Sequence, residues 1–307
     1  MKKWIVFILI LILIIEIFFI FFNPKEEPRC PDLICYKDGK YSVDWDEFEK
    51  IQYNKDCKYL HPNSTVKTQD LFNDSLPVNA TINQFQFRGK QISLEKPEGV
   101  KRIILAGDSF VFGQGLPDNE TIAIKLEEKF NSNGYNVEVL NIAYPGLSAP
   151  QIINWVQDKG IPLDPDLIVV FYFSNDYDEP CFHYKLNIEF SKNFSGEYMD
   201  FFTLVLDDYN NYYNKEINND FFEERIFQYY DLILDQNVAF YVWPDYEDRE
   251  NLLIDYFEEN NLFYMLGSKT GHDYSEKWML TKNDNHPNPF ATKVISDYLF
   301  DKIKGLI

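Results

Sequence analysis

Four short segments of this 307-residue chain carry side chains suited to acyl chemistry. The first is Gly107-Asp108-Ser109, directly after the apolar run Arg102 to Ala106. A small residue and then a serine at the carboxyl end of a parallel strand leaves the hydroxyl at the edge where α/β sheets bind ligands. The second is Asn141-Ile142-Ala143-Tyr144-Pro145-Gly146, whose glycine can offer its backbone N–H to a developing negative charge with no side chain in the way. The third is Phe173-Ser174-Asn175-Asp176, where the Asn175 amide could donate to the same point, although an Asn at a strand end serves equally as a turn residue. The fourth runs Asn283-Asp284-Asn285-His286-Pro287-Asn288-Pro289, with Asn288 a natural N-cap and Pro289 a natural first helical residue. An imidazole at the mouth of that helix, with a carboxylate two residues earlier, would supply a base and its orienter from one loop. His61, His183 and His272 have no such partners in sequence and read as surface or packing residues.

The elements needed to position these groups are legible as alternating strands and helices beyond Val100. Strands are expected at Arg102 to Ala106, Val137 to Asn141, Leu167 to Phe173, Asn237 to Trp243 and Leu262 to Leu266. Helices are expected at Glu120 to Phe130, Pro150 to Lys159, Glu247 to Glu259 and Pro289 to Lys304. Such βαβ repetition argues for a parallel sheet covered on both faces. An insertion of about sixty residues, 177–236, is too long for a simple loop and sits near the strand ends where ligands bind; it reads either as a lid or as cover for a sheet edge. Residues 24–99 are polar and weakly periodic, with strand-like Ile82 to Phe87 and a helix-like patch at Asp44 to Ile51, and read as an extension packed on the main domain, residues 100–307.

Residues 1–23 are expected to be a cytoplasmic start and a transmembrane anchor. Trp4 to Phe22 is apolar except at Glu16, and its nineteen residues would span about 28 Å as a helix. Lys2 and Lys3 precede the run, which places the N-terminus in the cytoplasm and the rest outside. No small residues at Phe21 to Lys25 offer a signal-peptide cleavage site, so a retained signal-anchor is favoured. Cys30, Cys35, Cys57 and Cys181 all follow the anchor, where disulfides are permitted and three pairings are open. Five Asn-x-Ser/Thr sequons, at Asn63, Asn73, Asn79, Asn119 and Asn193, are consistent with exposure. Metal binding by these thiols is disfavoured by the absence of a CxxC pair and of histidines at ligand spacing. A net charge of −20 would repel a phosphate backbone, so nucleic acid is excluded as a partner. Aromatic residues, 17% of the chain, exceed the need of a small core, and some could stack on a ligand.

With the four blocks in order over residues 100 to 305, the chain resembles the SGNH or GDSL hydrolases. The stretch from Asn79 to Glu98, with Phe87-Arg88-Gly89 and Lys96-Pro97-Glu98-Gly99, is similar to the lead-in of many bacterial members. The resemblance implies a flavodoxin-like three-layer α/β/α sandwich with a central parallel sheet, here preceded by a single transmembrane helix. It implies a serine esterase or acyltransferase that needs no cofactor or metal. Carried onto this chain, Ser109 is the nucleophile, His286 the general base, and the Ser109 N–H, the Gly146 N–H and Asn175 form the oxyanion hole. The family's common pattern places its triad Asp three residues before the His, where this chain has Asn283; the D-x-H-P-N variant is also familiar, so Asp284 is assigned as the orienter over Asn283, and a Ser-His dyad remains if neither orients His286. The expected function is an extracytoplasmic hydrolase of acetyl and related esters on a small molecule or on envelope or extracellular glycans, tethered to the membrane. An O-acyltransferase using the same residues and a non-catalytic binding or scaffold ectodomain are the alternatives. Oligomeric state stays open.

Overall fold

The computed structural model describes residues 34–37, 40–43, 60–68, 77–173, 176, 226–244, 250–273 and 275–307. The chain divides into two compact units, Met1–Trp45 and Asp46–Ile307. In the first, β1 (Ile34–Lys37) and β2 (Lys40–Val43) form an antiparallel hairpin with Ile34 opposite Val43.

The second unit opens with an antiparallel hairpin of β3 (Ser64–Thr68) and β4 (Val78–Ile82). Its centre is a sheet of five strands: β5 (Lys101–Ala106), β6 (Val137–Asn141), β7 (Leu167–Tyr172), β8 (Val238–Val242) and β9 (Phe263–Leu266). They lie in the order β6-β5-β7-β8-β9, and every pairing is parallel. Every residue of β7, Leu-Ile-Val-Val-Phe-Tyr, is buried, as a strand covered on both faces requires. The cover comes from α2 (Ile122–Ser132), α3 (Ala149–Trp155), α4 (Glu250–Glu259) and α5 (Pro289–Ile303), while α1 (Ser109–Phe112) is a single turn at the end of β5. The crossovers from β5 to β6 and from β6 to β7 run in opposite directions, and the right-handed sense that parallel crossovers take sets α2 and α3 on opposite faces of the sheet. The three-layer α/β/α arrangement follows. On one face α2 buries Ile122, Leu126 and Phe130 at helical spacing, and the Phe130 ring meets Phe300 of α5 at 4.9 Å between centroids.

The chain order reverses at β5, which has β6 on one side and β7 on the other. A crevice opens at the carboxyl ends of strands flanking such a switch point, and β5 delivers Ser109 to it.

Two expectations are corrected. The strand expected at Ile82 to Phe87 lies earlier, at β4: the Asn83 side chain accepts from the backbone N–H groups of Phe85 and Phe87 (2.9 and 3.0 Å), and that turn stops the strand. The membrane-spanning helix is not found: among the described residues no helix is long and apolar enough to cross a membrane. The longest of those described here, α5, has 15 residues, about 22 Å against a core of about 30 Å, and it carries Lys293, Asp297, Asp301 and Lys302. Residues 1–23, where the span was expected, lie outside the described residues. The anchored assignment, the single-pass topology with a cytoplasmic N-terminus and an extracytoplasmic domain, and the membrane as partner are accordingly withdrawn. Also outside the description lie Asp44 to Ile51, residues 177–225 of the insertion, and Cys30, Cys57 and Cys181.

Candidate active site

The serine is delivered by a tight turn. At Gly107 an added Cβ would meet Val111 Cγ2 at 2.6 Å, so only glycine lets the chain leave β5 and enter α1 this closely. Asp108 caps α1, its Oδ1 accepting from the Phe110 N–H at 2.9 Å. Ser109, the first residue of α1, is half-buried and keeps an open side. The helix stops at Gly113, whose φ of +88° ends it in the left-handed region. Its last carbonyls are held from two sides. Asn141 Nδ2, at the end of β6, donates to Val111 O and Phe112 O, and the buried Arg88 guanidinium donates to Phe112 O, Gly113 O and Leu116 O. Arg88 also pairs with Asp118 at 3.1 Å and lies over the Phe112 ring.

The histidine arrives from the other end of the chain. A short antiparallel ladder of β10 (Met279–Thr281) and β11 (Asp284–Pro287) carries Asp284 and His286. Asn288 fastens this ladder to α5: Oδ1 accepts from Ala291 N, while Nδ2 donates to Lys277 O and Met279 O. His286 Nδ1 is 2.6 Å from Asp284 Oδ1, and Nε2 is 2.8 Å from Ser109 Oγ. An ionised carboxylate has no proton to give, so Nδ1 carries the hydrogen and Nε2 accepts from the serine hydroxyl. The His286 backbone N–H donates to the same Asp284 oxygen at 3.0 Å, and both residues are buried. Asn283, the other position weighed for the carboxylate's role, is exposed, and its N–H faces Thr281 Oγ1 at 3.4 Å.

Gly146 lies between β6 and α3 with φ of +74°, a conformation that glycine adopts without strain. Its loop is tied to the serine turn by the Tyr144 N–H, which donates to Gly107 O at 3.0 Å. Asn175 and Ser174 lie outside the described residues. Their neighbour Asp176 is buried, accepts from the Phe173 N–H at 2.8 Å through Oδ2, and accepts from the Ala149 N–H through its carbonyl at 2.6 Å. The end of β7 is thereby joined to the start of α3.

Aromatic rings form the floor. Phe110 lies against the His286 ring at 4.6 Å, against Phe173 at 3.9 Å and edge-on to Trp243 at 5.2 Å. Trp243 in turn meets His272, which also touches Trp278. Burial holds His272 down to about 4, with Asp273 pulling weakly the other way. Burial likewise pushes the Asp108 carboxyl up to about 6, against the Phe110 N–H and the charge of His286, which favour its ionised form. Among the described residues no group of three His, Cys, Asp or Glu could hold a metal ion. The sequence reading does not assign roles to Phe110, Trp243, Arg88 or Asp108. Only the position of Asp108 beside the serine hints at one, because burial and ring contacts leave no local pattern.

No protein-family model matches the chain, and no curated protein sequence matches it. Solved structures with some likeness include a lipase/acylhydrolase from Enterococcus faecalis, at 14% identity and a TM-score of 0.47, covering 67% of this chain and 96% of that one. A psychrotrophic esterase from Pseudoalteromonas sp. is 14% identical with a TM-score of 0.41, covering 67% and 97%. A family 3 carbohydrate esterase from Clostridium thermocellum is 12% identical with a TM-score of 0.41, covering 67% and 96%. At such identities and scores nothing further rests on these likenesses.

Proposed function

We propose that the chain is a serine hydrolase that cleaves esters, acetyl esters among them, through an acyl-enzyme, its substrate an ester-bearing small molecule or glycan. One observation carries the reading: Ser109 Oγ, His286 Nε2, His286 Nδ1 and Asp284 Oδ1 fall in a continuous hydrogen-bonded line, although Ser109 and His286 are 177 positions apart. A fold has no packing reason to spend a buried His–carboxylate pair on a half-exposed hydroxyl, whereas nucleophilic attack needs that order of groups. Ser109 Oγ attacks the ester carbonyl while His286 Nε2 takes its proton, and Asp284 holds the resulting imidazolium. The tetrahedral oxyanion is met by the Ser109 N–H, the Gly146 N–H and the Asn175 amide in their proposed role. Collapse expels the alcohol with the proton returned by His286, and a water deprotonated by the same ring releases the acid.

The test is hydrolysis of p-nitrophenyl acetate by the full chain and by Ser109→Ala, with a fluorophosphonate probe on the same proteins. The expected result is a rate loss of about a thousandfold or more in Ser109→Ala, with probe labelling of Ser109 that disappears in His286→Ala. Equal rates and no labelling would leave a non-catalytic binding module in its place.

A further inference from the structure

We propose that Asp108 is a positioning residue for this chemistry: from the cap of the serine's helix, its buried carboxylate steadies the positive charge that forms on His286. The inference rests on the serine-hydrolase reading and assigns Asp108 work that the line from Ser109 to Asp284 does not include.

Capping alone does not explain an aspartate here. The cap uses only Oδ1, which accepts from the Phe110 N–H, while Oδ2 is buried with no hydrogen-bond partner. Asp108 is 2% exposed, and an unsatisfied carboxylate oxygen at such a site costs stability that a neutral Ser cap would avoid. The described titratable groups facing it are few. From β11 comes His286, whose charge favours the ionised form of Asp108 and whose Nδ1 meets Asp284; from its own turn comes the Ser109 hydroxyl, a hydrogen bond that favours the same form. Arg88 serves the other end of α1, at Phe112 and Gly113, and carries Asp118 as its own counter-charge.

The consequence appears when the proton moves. While His286 is neutral, Asp108 is a desolvated anion compensated only by hydrogen-bond donors of its own turn. Once His286 has taken the serine proton, the imidazolium is held by Asp284 through a hydrogen bond and attracted by the Asp108 charge through a poorly screened interior. No proton passes through Asp108; its charge lowers the energy of the transition state more than that of the ground state. Burial holds the Asp108 carboxyl up to about 6, while the charge of His286 favours its ionised form.

The experiment is the pH profile of kcat/KM for ester hydrolysis by the full chain and by Asp108→Asn, which keeps the capping oxygen and removes the charge. The expected result is a plateau lowered about tenfold through kcat, with KM little changed and the acid limb displaced by about one unit to lower pH. Asp108→Ser, which also caps, should show the same displacement. A second readout needs no turnover: in a Ser109→Ala background, the His286 ring resonances should titrate at lower pH once Asp108→Asn is added. Profiles that overlay wild type, with Ser109-dependent hydrolysis intact, would reduce Asp108 to a cap and leave the hydrolase reading standing. Absence of Ser109-dependent hydrolysis in wild type would overturn that reading, and this inference with it.

Discussion

Asp284 Oδ1 receives two hydrogen bonds from a single residue, the ring Nδ1–H and the backbone N–H of His286, so one oxygen sets both the tautomer of the ring and its tilt. An amide in that place could present its NH2 to Nδ1 and favour the wrong tautomer. Asp284→Asn should therefore lower kcat by about a hundred- to ten-thousandfold with little change in KM, while Asn283→Ala, altering an exposed side chain, should stay within about threefold of wild type. Steady-state kinetics of the two variants separates the positions. At this scale residue types and their place beside strand ends were readable: a serine after a small-residue turn, a histidine before a proline-started helix. The choice between Asn283 and Asp284 was not readable from spacing alone, because it depends on which side chain the β10–β11 ladder turns inward. The contribution of Asp108 was hidden for a related reason, since an identical Asp at an exposed cap would carry no cost and do no such work.

The element that carries Ser109 is a four-residue helix, too short to hold its own shape. Its stability is borrowed from Arg88 and Asn141, which hold its carboxyl-terminal carbonyls while Asp108 holds its first turn. Arg88 is joined by backbone bridges to both Ile82 and Asn141, so the end of β4, the end of β6 and the serine helix meet at this one residue. Arg88→Met removes that centre, strands several buried carbonyls and leaves Asp118 without this partner. The expected cost is about 2 to 4 kcal/mol in urea unfolding, with kcat reduced at least tenfold where the protein still folds. Arg88→Lys should recover only part of both, because one ammonium cannot reach three carbonyls and a carboxylate with the geometry of a planar fork. The sequence places Arg88 in a lead-in segment and no further. Its partners are 24 to 30 positions away, and the strand beside it was expected several residues too late because the Asn83 turn was not recognised.

Over the whole molecule, two buried groups make folding depend on pH in opposite senses. The fold holds His272 at about 4 against an ordinary 6.5, which favours its neutral form; the contribution is present above pH 6.5 and is lost as pH falls through 4. It holds Asp108 at about 6 against 3.8, which favours the protonated form; that contribution is present below pH 3.8 and is lost as pH rises through 6. Each is worth at most about 3 to 4 kcal/mol, so between pH 4 and 6 the two offset one another. Thermal melts should find Asp108→Asn gaining relative to wild type as pH rises from 4 to 8, and His272→Leu gaining relative to wild type as pH falls below about 6. Melts with the same offset at every pH would remove both groups from the linkage. What neighbouring residues encode is the menu: unbroken aliphatic runs make buried parallel strands, and Gly, Pro and Asn mark where they stop, so the α/β layering could be read directly. Hydropathy at residues 4–22 was just as readable, yet no helix among those described is long and apolar enough to cross a membrane. Contact and solvent exclusion come only from folding. Crossovers at β5 bring residues 109 and 286 to one rim, and the layers above decide which carboxylate loses its water, because burial is supplied by atoms far away along the chain.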